Sequence, residues 1–284
     1  MSIRKAFATT LLIPHFAIAM AQLPDTITID NVTVSARRVP MHSQLSVEGK
    51  EIIGSADLIR AACCNLGESF TTNPSVDVNY SDAATGAQQI KLLGLSGTYV
   101  QMLQENVPAF RQVAIPFGLS YVPGPWMQSI QVSKGAASVK NGYESITGQI
   151  DIEYKKPQGM EGLAVNAYYD SKQTIEANLD GALHLNDNLS TSILFHIDNS
   201  LHEHDQNNDG FMDMPMVKQY NLMDRWCWRS RHCISQLSVR GLHEERKSGT
   251  VKHHGHSSMP YGIDLQTDRI EGQWKNALLM RTDK

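Results

Sequence analysis

Residues 88–108 read QQIKLLGLSGTYVQMLQENVP, and residues 126–157 read WMQSIQVSKGAASVKNGYESITGQIDIEYKKP. Three short apolar runs, Ile90–Leu95, Tyr99–Leu103 and Ser129–Lys134, alternate with glycine turns. A fourth, Gln149–Tyr154, ends at Lys155, Lys156 and Pro157. The pattern is too irregular for a solenoid and too β-rich for a helical bundle. It predicts a small mixed domain of short strands held around glycine-centred turns.

The whole chain of 284 residues is long enough for about two ordinary domains. Its net charge of −4, with no basic stripe, argues against a nucleic-acid partner. Residues 1–21 read as a secretory signal: Arg4 and Lys5 lead an apolar run from Ala6 to Ile18, broken by Pro14 and His15. Ala19-Met20-Ala21 fits the cleavage rule, so the mature chain is expected to begin at Gln22. The apolar run falls short of the ~20 residues a membrane helix needs, and no later stretch approaches one. A place in a membrane would therefore require a β-barrel, the other fold that satisfies every backbone group in lipid.

Outward from the opening stretch, Gln22–Glu48 is polar around ITIDNVTVSARR (27–38). This segment is either a disordered tail or a strand that adds to another protein's sheet. Ser55 and Asp57 predict a helix over 56–62. Asn65-Leu66-Gly67-Glu68 predicts an N-cap with an acidic residue three positions on, opening a short helix that stops before Asn73-Pro74. SVDVNY (75–80) alternates like a strand.

From Gly162 the chain changes to segments of about ten residues with alternating polarity. Leu163, Val165, Ala167 and Tyr169 share one face. Ile175 to Leu183 and Leu189 to Ile197 form the next two, followed by Tyr220, Leu222, Trp226 and Trp228, with Asp224 as an exception. Leu237, Val239 and Gly241 then precede a weaker sixth segment with Ile270, Gly272 and Trp274. The opposite faces carry Asn166, Asp170, Glu176, Asp180, His184, Ser192, His196, Asn221 and Arg225. A soluble sandwich burying the apolar face gives the same alternation as a membrane barrel exposing it. Large polar side chains on successive strands favour the barrel. The links support it: Leu185–Asn188 and Ser230–His232 are short, while Leu201–Val217 and Glu244–Gln266, on the side of Ser171–Gln173, are long.

The opening stretch resembles the plug domain of TonB-dependent outer-membrane receptors. IKLLGL (90–95) and QMLQENVP (101–108) are similar to that family's "IRIRGL-G" strand and the strand ending near "DGVP". IQVSKGAASVKNG (130–142), TGQIDI (147–152) and KKP (155–157) are similar to "IEVVKGPASVLYG…GGVINI-TKKP". Ala136 stands where proline is usual, and Asn106-Val107 replaces the commoner Asp-Gly turn. The resemblance implies an α+β plug domain (43–157) followed by antiparallel transmembrane β-barrel strands of an incomplete barrel (158–284). A signal peptide (1–21) and a linker (22–42) precede them. It implies a bacterial outer-membrane location with the plug facing the periplasm, no enzyme activity, and energised uptake as the function. The linker segment Asp30, Asn31, Val32, Thr33, Val34, Ser35 and Ala36 resembles the TonB box. The implied partners are TonB with its inner-membrane energising complex, outer-membrane lipid, and a metal or metal-chelate substrate; nucleic acid is not among them. Family barrels have about twenty-two strands, against six here, so the chain is expected to be a truncated receptor that does not transport by itself.

The wording of 98–108 and 116–157 looks similar to a Bacteroidetes-type subgroup of metal or copper receptors. The long links fit a metal cargo. One holds His202, His204, Met212, Met214 and Met216; the other holds His253, His254 and His256. Mixed His and Met donors select soft or borderline ions such as copper; solvated polar loops are the bland alternative. Asp205, Asn207, Asp209 and Asp213, with Gly210 at the sixth position, match the first part of a Ca²⁺ loop but lack its final glutamate. They make either a structural Ca²⁺ clip or a hairpin of Asx turns. Cys63-Cys64 are either packed small residues or soft-metal donors. Cys227 and Cys233, on consecutive strands, are candidates for a disulfide. No triad, carboxylate pair or phosphate loop appears. Two other readings stay open: a secreted, calcium-stabilised β-rich binding or adhesion module, and a non-functional truncated receptor.

Overall fold

The chain divides into two units, Met1–Val39 and Pro40–Lys284. The structure, a computed structural model, describes residues 50–61, 64–71, 73–137, 139–160, 162–251 and 261–278, all in the second unit. The expected signal peptide (1–21), Asp30–Ala36, Cys63 and His253, His254 and His256 lie outside the described residues.

The first half builds the expected mixed domain. Strand β1 (Lys50–Gly54) leads into helix α1 (Ser55–Ala61). β2 (Val76–Asp82), β3 (Ala87–Leu92) and β4 (Leu95–Ser96) form a three-stranded sheet. β5 (Val100–Gln104), β6 (Val107–Pro108), β7 (Met127–Lys134) and β8 (Gly148–Tyr154) join β1 in a second sheet of order β1-β7-β8-β5-β6; a short helix, α2 (Ile115–Gly118), lies between β6 and β7. Only β5 and β8 pair in parallel in that sheet. Ile90, Leu92, Trp126, Ile130, Val132, Ile150 and Ile152 are buried in the core.

Gly148 marks where that core is tightest. A Cβ there would lie 2.1 Å from Leu92 Cδ2 and 2.4 Å from the Ser133 carbonyl oxygen. The glycine of the TGQI run thus lets β7 and β8 meet over β3. The expected helix after Asn65 is a single 3-10 turn, Glu68–Phe70. Asn65 Oδ1 accepts from Glu68 N–H at 3.2 Å. The Glu68 carboxylate reaches back one residue further than in the usual reciprocal cap, to Cys64 N–H at 2.9 Å.

All six alternating segments are strands: β9 (Leu163–Tyr169), β10 (Thr174–Asn186), β11 (Leu189–Ser200), β12 (Met216–Arg229), β13 (Cys233–Gly249) and β14 (Gly262–Leu278). They form one antiparallel meander, each pairing with its neighbour in sequence. Burial settles which face is inside. Asn221 is 1% exposed while its neighbour Leu222 is 48% exposed. Asn178, Ser192, His196, Arg225 and Arg240 are buried against the first half of the chain; Leu163, Val165, Leu179, Val239 and Trp274 face out. A water-soluble sandwich would place these residues the other way round. An apolar outer band over a polar inner face is the arrangement of a wall in lipid. The six strands do not close into a barrel.

Three expectations are corrected. The link placed at 244–266 is shorter, because β13 runs to Gly249 and β14 starts at Gly262. The strands continue past the apolar band on charge: His243 faces Asp268, and Lys247 faces Asp264. Cys227 and Cys233 are free cysteines. Cys227 stands opposite Gln236, three residues beyond Cys233, so the register keeps the two thiols apart. The turn between β5 and β6 is Glu105-Asn106, not Asn106-Val107; Gln104 pairs with Val107 across it.

Candidate functional site

The Glu105-Asn106 turn is where the plug-like half meets the wall. Both residues take left-handed backbone angles, φ 50° and 66°, as a two-residue hairpin turn requires. Asparagine tolerates that region; glutamate there costs about 1–2 kcal/mol. The side chain explains its presence. The Glu105 carboxylate is 3% exposed and accepts from Arg225 Nη2 on β12 at 2.6 Å and from Lys275 Nζ on β14 at 3.2 Å. Lys275 also donates to the Glu105 carbonyl, and Arg225 to the Lys155 carbonyl at 2.9 Å. Burial pushes the Glu105 carboxyl up, but the two cations outweigh it and hold the group below the ordinary glutamate range. Asp151 accepts from Asn106 N–H at 3.0 Å, and burial raises its carboxyl.

Further contacts run along the inner face. Lys155 pairs with Asp180 on β10 at 2.8 Å. Arg240 on β13 donates to Asn221 Oδ1 at 3.0 Å, to the Tyr154 hydroxyl at 3.2 Å, and to the Tyr121 carbonyl. Its guanidinium lies 5.6 Å from the Trp126 ring centre. Arg246 binds Glu244 at 2.6 Å and also donates to Ser120 and to the carbonyls of Thr85 and Gly86. Buried charges thus join the two halves, each satisfied by a partner across the boundary or beside it. A cavity of about 310 Å³ remains where the Glu105 turn faces Arg225, Arg240 and Arg269.

Of the residues singled out in sequence, the structure gathers some and leaves others apart. His202, His204, Met214 and Met216 line a second cavity, of about 320 Å³, opposite Cys64 and Glu68. Met212 and Asp205, Asn207, Asp209 and Asp213 do not line it. Asp205 accepts from the N–H groups of Asp209 and Gly210 at 3.2 and 2.9 Å, Asp209 from Phe211 at 2.8 Å, and Asp213 from Gln206 at 2.8 Å. These are the hydrogen bonds of Asx turns. Among the described residues, no group of three or more His, Cys, Asp or Glu is placed to hold a metal ion. Burial first, and then the nearby Glu176 carboxylate, raise the Cys64 thiol above its ordinary range.

Sequence reasoning missed Glu105, Arg240 and Arg246. The signal for the last two was present: Ser238, Arg240, Leu242, Glu244 and Arg246 continue the period of two. Nothing local marked Glu105.

In this geometry a small mixed domain is held by the polar face of an antiparallel wall whose apolar face points outward. A family model described as the TonB-dependent receptor plug domain matches residues 43–149. Residues 43–149 are a TonB-dependent receptor plug domain. A search of curated proteins gave no match. Among solved structures, the open form of the ferric-catecholate import receptor Fiu from E. coli K12 is 14% identical, with a TM-score of 0.57; the match covers 71% of this chain and 28% of that one. The siderophore receptor PirA from Acinetobacter baumannii is 18% identical, with a TM-score of 0.56, covering 73% and 33%. The copper transporter OprC is 17% identical, with a TM-score of 0.54, covering 70% and 32%. These likenesses are of fold: a plug followed by barrel strands. The chain spans about a third of the length of the structures it matches.

Proposed function

We propose that the plug and its six-stranded wall belong to a TonB-dependent receptor of the bacterial outer membrane, which takes up a metal ion or a small metal chelate past the plug, with the plug toward the periplasm. The observation that carries this reading is the inverted wall. Its apolar side chains face outward, and its buried arginines and carboxylates hold the plug. A secreted binding module would need the opposite face buried. The anchoring is polar and many-partnered, and such contacts exchange for water at lower cost than an apolar core does. A plug held this way is suited to being moved by a pull on its N-terminal segment.

Asp30–Ala36, rich in β-branched residues, is the segment we assign to TonB, which would take it as an added strand. The test is binding of the periplasmic domain of TonB to the chain in detergent micelles. Deleting residues 30–36 abolishes binding on this account while the emission of buried Trp126 stays unchanged; undiminished binding by the deletion variant would overturn it.

A further inference from the structure

Asp224 interrupts the apolar outward face of β12. It stands between Leu222 and Trp226, level with Ile193 on β11, Val239 on β13 and, one strand further, Gly272 on β14. Its partners are neutral. Trp226 Nε1 donates to Oδ2 at 2.9 Å. The Thr191 hydroxyl reaches Oδ1 only at 3.4 Å, and it also donates to the Arg225 carbonyl at 2.9 Å. A carboxylate in a lipid-facing band is costly, and its presence there marks a function and calls for a partner. Its height names the kind of partner. Trp226, Trp228 and Trp274 are exposed near the short-link end of the wall, as an aromatic belt at a membrane interface would be. Asp224 lies two residues above Trp226, about 7 Å of strand, which is just inside that belt and within reach of phospholipid headgroups.

The wall beside Asp224 is notched. Gly241 faces Leu222 on one side and Ile270 on the other, one row further into the apolar band. Gly272 is its diagonal neighbour. A Cβ at either glycine would meet no atom within 4 Å, while Leu222, Ile270 and Trp274 stand exposed around them. We infer that Asp224 and this notch seat an amine-headed phospholipid, phosphatidylethanolamine. Its ammonium group donates to the Asp224 carboxylate, and one acyl chain lies in the notch toward the middle of the bilayer. The inference rests on the reading that the outward face meets lipid. The chemistry selects this headgroup. An unpaired carboxylate calls for a cation and repels the anionic headgroup of phosphatidylglycerol. Its remaining lone pairs call for N–H donors, which a primary ammonium has and the quaternary ammonium of phosphatidylcholine lacks. A lipid seated there gives the charge its counter-ion and spans β12, β13 and β14 on their outer side.

The experiment is native mass spectrometry of the full chain refolded in detergent micelles at neutral pH. It is titrated with phosphatidylethanolamine, phosphatidylcholine or phosphatidylglycerol of identical acyl chains, and the retained lipid is counted. Wild-type chain is expected to retain one phosphatidylethanolamine with an affinity about tenfold above the other two. Asp224→Asn keeps the shape and removes the charge, and is expected to bring phosphatidylethanolamine down to the phosphatidylcholine level. Gly241→Leu fills the notch and is expected to weaken both lipids alike, by about threefold. Asp268→Asn, which changes an exposed carboxylate toward the other end of the wall, is expected to alter none of the three. Equal retention of the three lipids by wild-type chain would overturn the inference, as would undiminished phosphatidylethanolamine in Asp224→Asn. A chain dimer that Asp224→Asn dissolves would also overturn it, assigning the carboxylate to a second copy. Quenching of the outer tryptophans by brominated lipid measures insertion separately. Insertion without a headgroup preference removes this inference alone; failure to insert removes the lipid-facing wall with it.

Discussion

Glu105→Gln removes one charge from the plug without changing its shape. The Glu105 and Arg225 side chains are each 3% exposed and 2.6 Å apart. Glutamine can still accept one hydrogen bond, but it leaves Arg225 buried without its counter-ion. Breaking a buried pair from one side costs about 3–5 kcal/mol; the retained hydrogen bond puts the expected loss near the lower end, about 3 kcal/mol. Lys275 adds little, because its side chain is 31% exposed and water compensates it. The assay is urea unfolding of the chain refolded in micelles, followed by the emission of Trp126, which is fully buried in the plug. The pH dependence provides an internal check. The Glu105 carboxyl is held below its unfolded value, so its contribution is complete above the unfolded glutamate pKa of about 4.3. It is lost as pH falls through the lower folded value. Wild-type chain should therefore lose stability on acidification below about pH 4 more steeply than Glu105→Gln. A loss under about 0.5 kcal/mol, or an unchanged acid limb, would refute the idea that this pair anchors the plug. So would strict additivity with Arg225→Met in a double-mutant cycle.

Other expectations follow from the same structure. Gly148→Ala must push apart Leu92 and the Ser133 carbonyl and should cost about 1–3 kcal/mol, read by the same unfolding curve; a neutral effect would contradict the tight β3 contact. Val239→Arg, on the outward face of β13, should hinder insertion into lipid vesicles by roughly 2–4 kcal/mol near mid-bilayer, and equal insertion would argue against a lipid-facing strand. Cys227 and Cys233 should both react with a maleimide after denaturation without reductant, because both are free; an intact-mass loss of two hydrogen atoms would show the disulfide instead.

The wall was legible because an apolar outer side and a polar interior enforce a period of two, carried plainly from Leu163 to Gly241 apart from Asp224 and more weakly by Ile270, Gly272 and Trp274. The plug was legible through motif spacing, and Gly148 shows the steric reason one of those glycines stands where it does. Register was not legible. Cys227 and Cys233 flank a short turn, yet only the pairing of Cys227 with Gln236 shows that they miss each other. The anchors were not legible for a related reason. Glu105 and Arg225 are 120 positions apart, and the charged alternation through Arg240 and Arg246 resembles a polar loop until a buried partner is placed over it. In the site, the His/Met donors of 202–216 were readable from residue type. That four of them, His202, His204, Met214 and Met216, line one cavity with Cys64 needed the wall to be set against the plug.

The central claim is that the six-stranded sheet faces lipid with its apolar side and the plug with its polar side. The chain has four tryptophans, and the structure divides them: Trp126 is fully buried in the plug, whereas Trp226, Trp228 and Trp274 are 39%, 47% and 70% exposed on the outer face. Single-tryptophan variants reconstituted in vesicles of brominated lipid test this directly. The account predicts strong quenching of Trp226, Trp228 and Trp274 and none of Trp126; equal quenching of all four, or quenching of none with iodide reaching the three wall tryptophans from water, would contradict it.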